Sequence, residues 1–219
     1  MPPKAKFTRD EIIQTGLDIV RENGMEALSA RTLGTKLGSS ARPIFTVFQS
    51  MEEVQEEVKK SAKLLYAGYV KKGLEQELAF KGVGAQYILF AMQEPKLFQL
   101  LFMTEQKEAP VVASILSKLD DNYGEILLSV QNGYNLSEDK AEQLYRHLWI
   151  YTHGIAVLCA TNMCIFTAEE INKMIVQVFR GMLKEIEQGE QYETGRNMYE
   201  TGRNMYETGR KSMKQEETA

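Results

Sequence analysis

The sequence predicts an all-α chain, an N-terminal three-helix helix-turn-helix domain followed by a larger C-terminal helical bundle domain. Three features predict it. Hydroxyl caps open the apolar runs, as in Thr8-x-x-Glu11 and Ser50-x-x-Glu53, because such a side chain satisfies a free N–H of a first helical turn. Apolar residues then recur at helical spacing, most completely at Ile171, Met174, Ile175, Val178, Phe179, Met182, Leu183 and Ile186. Glycine or proline marks the ends of runs, at Gly24, Pro95 and Gly133.

Taken in order, residues 1–6 hold two prolines and two lysines, Lys4 and Lys6, and read as a flexible arm able to lie along phosphate. A frayed, solvated terminus is the competing reading. A first helix spans Arg9–Asn23, with Phe7 and Ile12 as its hydrophobic staple and Gly24 after its end. Two short helices follow. Ser29 caps the first, with Leu28 and Leu33 as staple, and Ser40 caps the second, expected from Ala41 to about Phe48 with Pro43 in its first turn. Ile44 and Phe48 face inward with Leu33 and Leu37, leaving Ser40, Ala41, Arg42 and Thr46 outward. A long helix runs from Met51 to about Lys72, and two helices within residues 78–103 meet at Glu94-Pro95. A polar connection leads to a helix expected over residues 111–130, ended by Gln131-Asn132-Gly133. The last helices are expected at 137–162 and 167–188. Beyond Gly189 the heptapeptide ETGRNMY repeats, and its recurring glycines oppose helix, so 190–219 reads as a low-complexity tail.

The short pair has the form of a helix-turn-helix. Small residues and one arginine at the outward tip suit the major groove, where arginine can contact guanine O6 and N7 with two hydrogen bonds. The spacing around it, Glu22, Gly24, Ser29, Arg31, Leu33, Leu37, Gly38, Ser40, Ile44, Phe48, Ser50, Glu52 and Val54, closely resembles the N-terminal domain of TetR-type transcriptional regulators over about fifty residues. The resemblance implies DNA contacts from Arg31, Ala41, Arg42, Pro43, Phe45 and Met51, to which the arm adds Lys4 and Lys6 and the polar residues of the head add Ser40, Thr46 and Ser50. It also implies that the long helix from Met51 carries ligand-induced motion to the head. Phe45 stands where the family commonly has tyrosine, Met51 where lysine is usual and Ser39 where valine is common. The first two remove a phosphate-bonding hydroxyl and a charge, which weakens binding and flattens its salt dependence. The competing expectation is therefore a DNA-silent dimeric relative that binds a ligand or protein partner.

Charge agrees with a head that meets phosphate. Residues 1–50 hold seven Lys/Arg against five acids, a net of +2 in a chain whose total is −4. Cys159 and Cys164, the only cysteines, argue against a disulfide framework and for a reducing compartment, with no secretion signal at the start. A cytoplasmic location is expected. The stretch from His147 to Ala168 carries no Lys, Arg, Asp or Glu, but its threonines, Asn162 and Gly154 favour a buried helix over a membrane span. His147, His153, Cys159 and Cys164 lack metal-ligand spacing, and no catalytic motif or cofactor loop is present, so no metal, cofactor or enzymatic activity is expected.

The domains expected are 1–50 for DNA binding, 51–189 for ligand binding and dimerisation, and the tail. In the body, Tyr145, Trp149, His153 and Val157 share a helical face, and Trp149 to Gly154 resembles a W-x-x-x-H-G signature of one TetR-type group. A pocket lined by Tyr87, Phe90, Phe98, Phe102, Trp149 and His153 would suit a small apolar or amphipathic effector, although the same aromatics could simply fill a core. The resemblance implies that the last two helices pair across a two-fold axis, which places a homodimer seam at Gly154, Ala160, Ile171, Ile175, Val178 and Met182, and a dimer is also required because one short reading helix covers half a site. The functional expectation is a ligand-responsive repressor that binds a palindromic operator in double-stranded DNA as a homodimer and is released by its effector.

Overall fold

The computed structural model describes residues 6–105 and 108–188. Among them are nine α-helices and no strand. The chain divides into two compact units, 1–179 and 180–219, the boundary falling inside the last helix. Lys4 and the heptapeptide tail lie outside the described residues.

Helix α1, Arg9–Asn23, begins with the expected reciprocal cap: Thr8 Oγ1 accepts from the Glu11 N–H while the Glu11 carboxylate accepts from the Thr8 N–H. Those two bonds hold the exposed Glu11 carboxyl below its ordinary pKa, the Thr8 backbone bond being the larger cause. Gly24 follows at φ +85°, a backbone state that favours glycine. Helix α2, Ala30–Lys36, is capped by Ser29, with Thr32 rather than an acid completing the reciprocal pair. Leu28 and Leu33 are both buried, as the staple requires.

The second short helix does not form as expected. Residues 41–47 are a succession of turns around one 3-10 segment, Ile44–Thr46. The amides of Ile44, Thr46 and Val47 each donate to the third residue back, and only Phe48 reaches the fourth. Ser40 therefore caps nothing. Three local causes converge here. Pro43 supplies no N–H and pushes Arg42 away from the α region. Ile44, Thr46 and Val47 are β-branched, and the Thr46 hydroxyl donates to the Pro43 carbonyl at 2.6 Å. Ile44 and Phe48 are nevertheless buried, so the turn packs inward as a helix would have.

Helix α3, Met51–Leu74, starts at the Ser50 cap and buries Val54, Val58, Ala62, Tyr66 and Val70, one residue every four. It crosses α1 at Gly16, where a Cβ would stand 2.8 Å from Val58. Helix α4, Ala79–Gln93, returns alongside it, with Gly73 and Gly82 letting the two backbones close up. Helix α5, Pro95–Phe102, starts at the expected proline.

The helix expected over 111–130 is broken into α6, Ile115–Leu119, and α7, Tyr123–Tyr134. Asp120 is the cause: its Oδ1 accepts from the backbone N–H and the side-chain amide of Asn122, an Asx turn that competes with helix. Helix α7 also outlasts Gly133, ending at Asn135 with φ +51°. Helix α8 is Glu138–Ala160, and α9, Ala168–Gln188, begins at a reciprocal Thr167–Glu170 cap.

At Gly34, inside α2, a Cβ would lie 2.9 Å from the Ala41 nitrogen and the Ser40 carbonyl carbon. Alanine ordinarily stabilises a helix interior relative to glycine. Here Gly34→Ala must push the turn backbone away, and urea unfolding should show a loss of about 1–3 kcal/mol. A gain in stability would contradict the close approach.

Candidate functional site

The tip of the head is built from the α2 N-terminus and the 40–46 turn. Arg31, Ser40, Arg42, Phe45 and Thr46 are exposed, while Ala41, Pro43 and Ser50 are half-buried. Phe45, where the family commonly has tyrosine, is 46% exposed on an otherwise polar surface. Lys6 sits at the edge of this tip and donates to Ser39 Oγ at 3.0 Å. Ser50 is engaged as the cap of α3.

Charge at the head separates into two populations. Arg9 is held by Glu53 at 3.0 Å and Glu57 at 3.6 Å, and its guanidinium lies 4.3 Å from the Phe48 ring centroid. Arg21 binds Glu94 at 2.7 Å, tying α1 to the start of α5, and Lys36 binds Glu22 at 2.8 Å. Among the described residues, Arg31 and Arg42 make no ion pair. The cations at the tip are thus unspent, while those behind it hold the scaffold.

In the body the six expected aromatic and histidine residues do come together, but largely against one another. Tyr87 meets Phe98 and Phe102 edge-on at centroid distances of 5.4 and 5.2 Å, and Trp149 stacks on His153 at 4.8 Å. Phe90 and Phe98 are fully buried. The Tyr87 hydroxyl lies 2.9 Å from His153 Nδ1. Burial raises the Tyr87 pKa well above its ordinary value, with the Asp120 charge adding to it and the Trp149 indole opposing it. Burial lowers that of His153, which is therefore neutral at pH 7.

A cavity of about 410 Å³ opens between α3, α5 and the α6–α7 break. Of the six expected ligand contacts, Phe102 lines it. Its other walls include Tyr66 and Asp120, neither singled out by sequence reasoning. The Tyr66 hydroxyl donates to Asp120 Oδ2 at 2.7 Å in a buried bond. Loss of solvent, followed by the Asp120 charge, lifts the Tyr66 pKa far above the usual phenol value. The available signal was the Asp120-Asp121-Asn122 run inside an otherwise apolar segment.

Of the residues expected at a subunit seam, Gly154 is exposed with open space beyond its Cα, beside Ile150, itself 49% exposed. Ile171, Ile175 and Val178 are half-buried, and Ala160 lies inside the chain's own core with its carbonyl accepting from Gln99. Met182, in the second unit, is half-buried. Among the described residues no group of His, Cys, Asp and Glu could hold a metal ion, and no helix is long and apolar enough to cross a membrane.

The described residues thus form an all-α chain whose capped, cation-tipped head is joined to a helical body by one long helix. The family comparison agrees: residues 80–179 match the tetracyclin repressor-like C-terminal domain. That match, over somewhat less than half of the chain, supports the TetR-type family. No curated protein matches it.

The lowered His153 pKa has a consequence for stability. Below about pH 6.5 the unfolded chain takes up a proton that the folded imidazole resists, so stability falls with acidification down to the folded value. The lowered carboxylates, Glu11, Glu53 and Glu57 among them, give up their contribution only as pH falls below 4.5. Thermal midpoints at pH 7.5 and 5.5 should therefore differ less in His153→Gln, which keeps a partner for Tyr87, than in the native chain.

Proposed function

We propose that this protein is a DNA-binding transcriptional repressor that works as a homodimer and leaves its operator when a small molecule occupies the body. The observation that carries the DNA-binding part is the division of head cations just described. Arginines committed to acids at about 3 Å have little to offer phosphate or base edges, whereas Arg31 on α2 and Arg42 on the following turn are exposed and, among the described residues, make no ion pair. Phe45 beside them gives an apolar surface for a thymine methyl or a sugar. Arg42 is the reader of guanine, Arg31, Thr46 and Lys6 the phosphate contacts, with Lys4 on the arm that precedes them. Ala41 and Pro43 keep the turn slim enough for close approach.

Because the 41–47 segment is a compact turn rather than a two-turn helix, one head reaches only a few base pairs. Two copies related by a two-fold axis supply the second half-site. The outward side of α8, at Ile150 and Gly154, and the first half of α9, at Ile171, Ile175 and Val178, are the surfaces proposed to meet, with Ala160 lying behind. Sedimentation at micromolar concentration should give a dimer, and a monomer would count against this seam.

In a gel shift with the DNA upstream of its own gene, Arg42→Ala should weaken specific binding by ~1–3 kcal/mol while leaving the fold intact. Unchanged operator affinity would transfer the reading role elsewhere. The DNA-silent reading keeps the dimer and the effector and predicts no shift for the native chain either.

A further inference from the structure

The cavity between α3, α5 and the α6–α7 break has an uneven charge that selects its occupant. Two lysines stand at its rim, and both are already neutralised: Lys63 Nζ lies 2.8 Å from Asp121 Oδ2, and Lys60 Nζ lies 2.8 Å from Glu57 Oε1. Asp120, by contrast, is 4% exposed and, among the described residues, meets no cation. It is a carboxylate at the wall of a largely apolar hollow, and among the described residues it accepts hydrogen bonds from the Tyr66 hydroxyl and the two nitrogens of Asn122. Removing such a group from water is unfavourable unless a counter-charge accompanies it. Its Oδ1 already accepts two hydrogen bonds and its Oδ2 one. A carboxylate accepts about four, so one site on Oδ2 is left.

The wall beside Asp120 is aromatic. Tyr66 and Phe102 line the cavity and meet edge-on at 4.9 Å, presenting ring surface to whatever sits there. Ring faces attract cations, the more so where water is excluded. An anion would find both lysines engaged and would face an unneutralised carboxylate.

We propose that this cavity binds a hydrophobic organic amine in its protonated form, its ammonium donating to Asp120 Oδ2 and its apolar part lying against Tyr66 and Phe102. The inference rests on the proposal that the body is an effector domain, and it names the chemistry of the effector. A volume of about 410 Å³ falls within the range that accommodates small ligands. The site also touches α3 at Tyr66 and Ala67, the helix that continues into the head.

The test is calorimetry on the full chain at pH 7 with naphthylethylamine, and with naphthylethanol and naphthylacetate as neutral and anionic counterparts. The amine should bind roughly tenfold or more tightly than either. Asp120→Asn should abolish that margin while leaving the alcohol unchanged. Should that variant fail to fold, Ala67→Phe, which fills the hollow and spares the Asp120 hydrogen bonds, must lose amine binding with its helical circular dichroism retained. An amine bound no better than the alcohol, or bound by either folded variant as tightly as by the native chain, overturns the proposal. Operator binding is read separately in the absence of amine. A protein that shifts DNA but ignores the amine refutes this site alone, and one that binds the amine but no DNA refutes the repressor reading alone.

Discussion

One face of α3 holds head and body in a single frame. Val54, Val58, Ala62, Tyr66 and Val70 recur every four residues and are all buried, the first two beneath the reading head and the last three within the helical body. Burying each valine in such a stripe stabilises the fold by about 1.5–3 kcal/mol, so neither end can lift away cheaply. The helix between is continuous, with no proline or break to absorb a displacement. The stripe's fourth member, Tyr66, lines the cavity and is bonded to Asp120 in its wall. A molecule wedged against Tyr66 would press on the element that carries the head. The Arg21–Glu94 pair gives the same two regions a second tie, from α1 to the start of α5.

Much of this frame could be read from the sequence, because the signals that set it are local. The Thr8–Glu11 box, the Ser29 and Ser50 caps, the Leu28–Leu33 staple and Pro95 each act within a few residues and each appears where expected. Where spacing and structure differ, the reason is again physical. At 41–48 the burial of Ile44 and Phe48 was anticipated, yet the backbone beneath them is a 3-10 turn, since proline and three β-branched residues outweigh a cap signal when the segment is too short to nucleate helix. At 111–130 apolar periodicity concealed a break, because Asp120 satisfies itself with Asn122 and Tyr66 instead of letting the helix continue.

The candidate sites were legible unevenly for a related reason. Exposure of Arg31, Arg42 and Phe45 follows from helical phase and turn chemistry, but their lack of partners depends on where Glu22, Glu53 and Glu94 end up, two of them outside the head's first fifty residues. In the body, composition could say that Tyr87, Phe98, Trp149 and His153 would cluster. It could not say that they would spend their surfaces on each other and leave the hollow to Tyr66 and Phe102. Whether aromatics make a core or a pocket is decided by the last ångström of helix packing, which spacing alone does not encode.

In the function proposed, the head enters the major groove once from each of two symmetric copies, with Arg31 on α2 and Arg42 on the compact turn. Hydroxyl-radical footprinting of the native chain on the DNA upstream of its own gene tests this most directly. The account predicts two equivalent protected patches related by a two-fold axis, their centres a whole number of helical turns apart. A single asymmetric patch, or uniform cleavage at protein concentrations well above those needed for dimerisation, would contradict it.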